Sequence, residues 1–367
     1  MGDRDRREPT VTPMLPGRSP AAATPNPHAP ARRSLANIGA PTRLAEFVRV
    51  LITFDVEVWC NSWHTLDADF PASFERYVFG RSRHGAYALP KTLEILDRHG
   101  LRGVFFVEPL FASRFGVEPL ARIVELVRDA GQEVQLHLHP EWTDEARVPL
   151  LPGVTGKRQF MHLYGADEQR ALVAHGLRLM REAGVHDINA FRSGGFACNA
   201  DTLRAVAANG LAFDSSINPT FEVSQPGPVH DPQAAQGEPF AFDGLTLVPM
   251  SVFRDGRGRL RHAQIGACSA RELTDAMTDA ARQGWSSFVL LSHNFEMLVP
   301  DKADPDGVVV RRFEAVCRFL AGQRGTLPTA GFHDLPPPPS PRGLAMPRAG
   351  QLGTAIRYAE QAWRRLH

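Results

Sequence analysis

The sequence has no apolar run long enough to cross a bilayer as a helix, and residues 1–7 lack the apolar stretch of a secretory signal. It also has almost no excess charge, since 41 Lys and Arg residues face 40 Asp and Glu residues for a net charge of +1. A nearly neutral chain offers no electrostatic reason to bind nucleic acid. We therefore expect a cytoplasmic protein with no integral membrane segment and no nucleic-acid partner, and the sequence leaves the oligomeric state open.

Cysteine is scarce as well. The chain has 4 Cys residues, and no two of them form a Cys-x-x-Cys pair. Widely spaced thiols are not typical of a disulfide framework or of a thiolate metal site. We expect the four thiols to be reduced and mostly buried: Cys60, Cys198, Cys268 and Cys317.

The composition divides the chain into three parts. Residues 1–43 are rich in Pro, Ala, Arg and Ser without an apolar period. Such a segment cannot bury enough apolar surface to offset its ordering entropy, so we predict a disordered tail. Residues 44–335 have the composition of one folded domain. Residues 336–367 begin with four prolines, which predict a stiff linker, and end in a basic amphipathic helix from about residue 355.

Two histidines stand two residues apart in the stretch EVQLHLHPEW at 133–142. Residues i and i+2 of a β-strand point to the same face, so His137 and His139 are predicted to project together. Pro140 cannot donate a hydrogen bond to a neighbouring strand, and we expect the strand to end there. Imidazole is a common zinc ligand, so the pair predicts half of a metal site.

A second stretch, LITFDVEVW at 51–59, has the same arrangement with acidic groups. Its apolar run ends with Asp55 and Glu57, which would also share one face of a strand. One strand ending in two carboxylates and another ending in two imidazoles can together bind a divalent metal, for which zinc is the first choice.

Strand-like and helix-like segments alternate through the domain. Strands are predicted near residues 49–57, 103–107, 133–139, 190–196, 211–217, 245–250 and 287–293, with helices near 89–99, 119–130, 167–183, 200–207, 270–282 and 309–320. Residues 58–88 are expected to form a long loop beside the site. This alternation predicts an α/β fold, an irregular barrel of the (β/α)7 type. Catalytic groups of such barrels lie at the carboxyl ends of the strands, where these polar residues fall: Asp55, Glu57, His137, His139, Arg192, Asp214 and His293.

The stretches that carry these residues resemble, in the same order along the chain, the motifs of the polysaccharide deacetylase family, the NodB-homology carbohydrate esterases. The resemblance extends over most of the predicted domain. TFDVE at 53–57 is similar to the family's first motif, Thr-Phe-Asp-Asp-Gly, in which the first Asp is the general base and the second is a metal ligand. Asp55 matches the base. Val56 stands where the family has its second Asp. Glu57 is the candidate to replace that Asp as a metal ligand.

The family's second motif has two metal-binding histidines four residues apart. His137 matches the first, but Glu141 stands at the second position. The resemblance therefore leaves His139, Glu141 or a single protein ligand open, and the strand period favours His139. The candidate metal ligands are Glu57, His137, His139 and Glu141.

Three later stretches resemble further motifs of the family. FRSGGF at 191–196 is similar to Arg-x-Pro-x-Gly, with Gly194 in place of Pro, and this implies that Arg192 orients Asp55. LLSH at 290–293 is similar to Leu-x-His, whose His is the general acid, and His293 matches it. FDSS at 213–216 is similar to a weaker fourth region, and we place Asp214 with the substrate-binding groups, with a structural role as the alternative.

The resemblance implies a metal-dependent hydrolase that removes an acetyl group from an N-acetylated sugar or saccharide precursor. Trp59, Trp63 and Trp142 are candidates to stack on a sugar ring, with packing at the rim as the alternative. Two other functions stay open. The barrel could hydrolyse another non-peptide C–N amide bond, or the protein could bind carbohydrate after losing its metal.

Overall fold

The computed structural model describes residues 47–221, 237–301, 303–338 and 342–366. The predicted tail at 1–43 lies outside these ranges. Residues Leu44–His367 belong to one compact unit. None of the helices in the described ranges has the length and hydropathy that crossing a bilayer requires.

One large sheet organises the domain. The strands of the described ranges are β1 (Arg49–Val56), β2 (Arg81–Ser82), β3 (Gly85–Ala86), β4 (Gly103–Val107), β5 (Glu133–Leu138), β6 (Ala190–Ser193), β7 (Phe213–Asp214), β8 (Phe240–Phe242), β9 (Leu245–Leu247), β10 (Val252–Arg254), β11 (Leu260–His262) and β12 (Ser287–His293). Eight of them form a sheet in the order β12-β1-β4-β5-β6-β7-β9-β8. Every neighbouring pair from β12 to β9 is parallel, and β8 is antiparallel to β9.

The sheet curls into a half-barrel, which confirms the predicted (β/α)-barrel class. Its central strands β1, β4 and β5 are buried at almost every position, as expected where helices cover a parallel sheet. On one face Phe54 of β1 stacks on Phe105 of β4, with ring centroids 4.7 Å apart. The carboxyl ends of these strands all open on the same edge.

The predicted helices are present, with ends shifted by a few residues at most. The helices of the described ranges are α1 (Leu66–Phe74), α2 (Leu89–His99), α3 (Ala112–Phe115), α4 (Val117–Asp129), α5 (Ala166–Glu182), α6 (Ala200–Ala208), α7 (Ala270–Gln283), α8 (Gly307–Gly322) and α9 (Gln351–Leu366). Of these helices, α6 and α7 each begin with a side-chain cap. Asn199 Oδ1 accepts a hydrogen bond from Thr202 N at 2.9 Å, and Ser269 Oγ accepts one from Glu272 N at 3.1 Å.

The prediction of a long loop at 58–88 was wrong. This segment contains α1, a π-helical turn at Glu75–Phe79 and the short hairpin of β2 and β3. α1 carries Pro71 in its interior and has only a weak apolar period, so its helical signal in the sequence is poor. Tertiary packing supplies the missing stability, because Phe70 is buried and stacks on Phe115 with ring centroids 3.7 Å apart.

The C-terminal helix α9 packs on the domain through a buried arginine. It begins four residues before the predicted start at Ala355. Arg357 is buried, with its Nε 3.0 Å from Glu272 Oε2 and its Nη2 2.8 Å from Asp255 Oδ2. Thr354 Oγ1 donates to the other Glu272 oxygen at 2.8 Å. One guanidinium therefore joins α9 to α7 and to the segment after β10.

We expect Arg357→Ala to destabilise the protein by about 3–5 kcal/mol, because it leaves two buried carboxylates without their shared cation. The free energy of unfolding from urea titration measures this. Arg365→Ala, at the exposed end of the same helix, is the matched control and should change that free energy by no more than about 0.5 kcal/mol. Equal losses in the two variants would contradict the assignment.

Candidate active site

Four strands of the sheet bring their polar ends together at one edge. β1 supplies Asp55, and Glu57 is the first residue after the end of β1. β5 supplies His137, and β6 places Arg192 beside that histidine in register. β12 ends in His293, which lies beside Asp55 in register. The predicted clustering of these groups at the carboxyl ends of the strands is therefore observed.

Glu57, His137 and His139 form a group suited to a metal ion. One nitrogen or oxygen atom from each residue lies within 4.8 Å of the others, and all three side chains are buried. Glu57 Oε1 is 3.2 Å from His137 Nε2 and 2.9 Å from His139 Nε2. In the described part of the chain, the second group of this kind joins Glu57 to Asp55 and His293, so both groups share one carboxylate.

The hydrogen bond of His137 fixes which of its nitrogens faces Glu57. His137 Nδ1 lies 2.8 Å from the carbonyl oxygen of Arg192, which can only accept, so Nδ1 carries a proton. In the neutral ring, Nε2 then presents a lone pair to the Glu57 carboxylate, and two acceptors face each other. A cation between them, either a metal or a second proton, removes that repulsion. A histidine held in this way is typical of metal sites.

His139 lies between two carboxylates. Its Nε2 faces Glu57, and its Nδ1 is 3.2 Å from Glu141 Oε1. Glu141 thus lies behind the imidazole and outside the group around Glu57, which favours His139 as the second ligand and leaves a ligand role for Glu141 as a prediction. The other oxygen, Glu141 Oε2, is buried and has no hydrogen-bond partner among the described residues. A carboxylate behind a ligating histidine fixes its tautomer and strengthens its donor nitrogen.

The electrostatics of this group favour a positive charge in its centre. Burial alone would raise the pKa of Glu57, but the charge of His139 and the short contacts with both histidine rings hold it well below its usual value. Burial alone would lower the pKa of His139, but Glu57 and Glu141 raise it well above its usual value. The attraction between the Glu57 carboxylate and the His139 imidazole contributes to both shifts. A divalent metal with His and Glu ligands fits these residues.

Asp55 is held by a fully buried arginine. Arg192 Nη1 is 2.6 Å from Asp55 Oδ1, and this is the ion pair that the motifs predict. The guanidinium also donates to Thr53 Oγ1 at 3.0 Å and to Ser215 Oγ at 3.1 Å. These contacts fix the direction of Asp55 and keep a positive charge beside it.

His293 has a carboxylate partner that the sequence did not reveal. Its Nδ1 is 3.2 Å from Glu296 Oε1. Glu296 in turn accepts hydrogen bonds from Gly266 N and Ser292 Oγ, each at 2.9 Å, and from the Gln264 side chain. Burial would lower the pKa of His293, but the hydrogen bond to Glu296 and nearby carboxylate charges raise it to about 9. The spacing of three residues after a strand-end histidine was the only sequence signal for Glu296.

Asn294 is a second positioning residue that the sequence did not reveal. Its Oδ1 accepts from the backbone N–H of Glu57 at 3.0 Å, and its Nδ2 donates to the carbonyl of Glu57 at 3.1 Å. The residue after the end of β12 therefore fixes the backbone of the residue after the end of β1. Asn294 is fully buried, so these bonds are shielded from water.

The three candidate tryptophans, Trp59, Trp63 and Trp142, pack against one another. Trp142 is only 1% exposed and packs against Phe111 and Phe115, so the expectation that it stacks on a sugar was wrong. Trp59 Nε1 donates to Glu57 Oε2 at 2.7 Å and therefore helps to orient the candidate metal ligand. Lys157 Nζ lies 3.6 Å from the ring centroid of Trp63. Trp59 and Trp63 are partly exposed, so their contact with a sugar stays a prediction.

Asp214 is a structural residue. It is 1% exposed and accepts hydrogen bonds from Ser216 N at 2.8 Å and from Ser216 Oγ at 2.9 Å. Burial raises its pKa to about 7, although the hydrogen bonds from Ser216 lower it. Its placement among the substrate-binding groups was therefore wrong, because no face of the carboxyl is open to a ligand.

We expect His137→Ala to abolish zinc binding and Glu141→Gln to weaken it by about 10–100-fold, because Glu141 acts through His139. Metal content after dialysis and zinc affinity from chelator competition measure both effects. The exposed His186→Ala is the control and should bind zinc like the wild type. If Glu141→Gln loses zinc as completely as His137→Ala does, Glu141 is a ligand after all.

Comparison with known proteins gives a fold but no sequence relative. No protein-family model matches the chain, and no curated protein matches it significantly. A structure from Mycobacterium smegmatis, provisionally described as a polysaccharide deacetylase, is 18% identical with a TM-score of 0.50, and the match covers 83% of this chain and 96% of that one. A family 4 carbohydrate esterase from Streptomyces lividans is 16% identical with a TM-score of 0.36, over 77% of this chain and 90% of that one. The chain therefore has the fold of the polysaccharide deacetylases, which its motifs resemble.

Proposed function

We propose that this protein is a metal-dependent hydrolase that removes the acetyl group from an N-acetylated sugar. The observation that carries the proposal is the convergence of three units at one edge of the sheet. These units are the Glu57, His137 and His139 group, the Asp55–Arg192 ion pair and the His293–Glu296 pair. They match the three requirements of amide hydrolysis, which are electrophilic activation, a base and an acid.

The candidate metal ligands are Glu57, His137 and His139. A divalent metal bound there would supply Lewis-acid activation of the amide carbonyl and of water. Glu141 holds the ring of His139 from behind, and the carbonyl of Arg192 holds that of His137. Trp59 donates to the remaining oxygen of Glu57. The chain therefore orients all three ligand groups.

Asp55 is the proposed general base, and His293 is the proposed general acid. Asp55 accepts a proton from the attacking water, while Arg192 holds the carboxyl in place. His293 holds a proton with the help of Glu296 and delivers it to the nitrogen of the departing amine. The two groups lie beside each other in register on β1 and β12, so they act on one bond from neighbouring strands.

A second candidate is hydrolysis of another non-peptide amide on the same barrel. The burial of Trp142 supports this second candidate, because one of the three aromatic rings expected for sugar stacking faces the core. The acid, base and metal groups would act on either substrate in the same way. Acetate release from a panel of N-acetyl sugars distinguishes the two. A zinc-loaded protein that releases acetate from none of them would contradict the sugar substrate.

We expect Asp55→Asn to lower kcat by about 10²–10⁴-fold, because the amide cannot accept the proton of the water. Zinc content should stay close to that of the wild type, since Asp55 is not one of the three proposed ligands. Asp97→Asn, an exposed change on α2, is the control for kcat. Unchanged kcat in Asp55→Asn with full zinc content would exclude Asp55 as the base.

We expect Glu296→Gln to move the alkaline limb of the pH–rate profile to lower pH. His293 must be protonated to act as an acid, so activity is lost as pH rises through its pKa of about 9. The neutral amide no longer stabilises the imidazolium, so that pKa falls and activity is lost at lower pH. The profile of kcat against pH measures the shift. A lower rate with an unmoved limb would show that Glu296 has only a structural role.

A further inference from the structure

Gly194 lies directly against the imidazole of His139. β5 and β6 are parallel, with His137 beside Arg192 and Leu138 beside Ser193, and His139 and Gly194 are the residues that directly follow these paired segments. A β-carbon on Gly194 would point into the space that His139 fills.

The space at Gly194 is smaller than a methyl group. A β-carbon built there would lie 2.7 Å from both Cε1 and Nδ1 of His139 and 2.8 Å from its Cγ. Non-bonded carbon atoms in protein interiors are separated by about 3.5–4.0 Å. The imidazole cannot keep its position beside any residue larger than glycine.

The backbone does not explain the glycine. Gly195, the next residue, has φ +59°, in the left-handed region that favours glycine. Gly194 has no φ in that region, so alanine could adopt its backbone conformation. The contact with His139 is the specific constraint on position 194.

The ring of His139 is also confined on its other sides. Its Nδ1 contacts Glu141, and Trp59 packs edge-on against it with ring centroids 4.8 Å apart. The ring of His137 is also 4.8 Å away. A methyl group at position 194 would therefore displace His139 from Glu141, from Glu57 or from both.

We propose that Gly194 is a positioning residue that allows His139 to be the second imidazole of the metal site. The proposal rests on the metal centre of the proposed function. It also joins two features of the sequence that otherwise look independent. The histidines stand two residues apart with Glu141 at the expected second position, and glycine replaces the proline of the Arg-x-Pro-x-Gly pattern. The close approach of ring and backbone makes them one steric arrangement.

A double-mutant cycle tests the proposal with four proteins: the wild type, Gly194→Ala, His139→Ala and the double variant. We expect Gly194→Ala to weaken zinc binding by about 10–100-fold in the wild-type background. With metal removed by a chelator, adding Gly194→Ala to the wild type should lower the urea concentration at the midpoint of unfolding. Adding the same change to His139→Ala should leave that midpoint unchanged, because the space vacated by the ring holds the methyl group.

Gly103→Ala is the matched control. Its β-carbon would meet Leu96 Cδ1 at 2.9 Å, a comparable clash on β4 that does not involve His139. It should lower the unfolding midpoint while zinc affinity stays within about twofold of the wild type. Cobalt(II) absorption spectra give a second readout, since a displaced His139 should change the spectrum in Gly194→Ala and not in Gly103→Ala.

Two results would overturn the proposal. One is a zinc affinity of Gly194→Ala equal to that of the wild type. The other is that Gly194→Ala lowers the unfolding midpoint equally in the wild type and in His139→Ala. If Gly194→Ala does not fold, the double variant should fold, and failure of both also contradicts the proposal. A wild type that binds no zinc would instead contradict the proposed function, and the cycle in chelator would still test the steric contact.

Discussion

The burial of one carboxylate, Glu57, is the constraint on which the candidate site depends. Glu57 is 7% exposed, and removing an ionised carboxylate from water costs several kcal/mol unless charges and hydrogen bonds offset it. The nitrogens of His137 and His139 face one of its oxygens, and the indole of Trp59 donates to the other. Asn294 fixes its backbone on both sides. A cation at this point balances the carboxylate, which is why a metal centre explains the arrangement well.

The other groups are organised in the same way, as pairs of opposite charge. Arg192 serves two of these units, because its guanidinium holds Asp55 while its backbone carbonyl holds His137. Glu296 holds His293, and hydrogen bonds from Gly266, Ser292 and Gln264 hold Glu296. Each reactive group therefore has a partner that fixes its direction. Such pre-oriented groups are what the proposed hydrolysis would require.

Much of the fold could be predicted because its signals are local. Buried parallel strands are continuous apolar runs, and the helices carry recognisable caps such as Asn199 and Ser269. The segment at 58–88 could not be predicted, because α1 contains Pro71 and is stabilised by the stacking of Phe70 on the distant Phe115. A contact between residues far apart in sequence leaves no periodic pattern in either of them.

The sequence by itself determined that Asp55 and Glu57 share one face, and that His137 and His139 share another, because the period of a strand is a property of the local backbone. Only the tertiary structure decided what those faces meet. It placed Glu141 behind His139, turned Trp142 into the core, and brought Glu296 to His293. These directions follow from the 3₁₀ turn after β5, the short turn after β12 and the packing around them. Such turns have no fixed period, so long-range contacts decide where their side chains point.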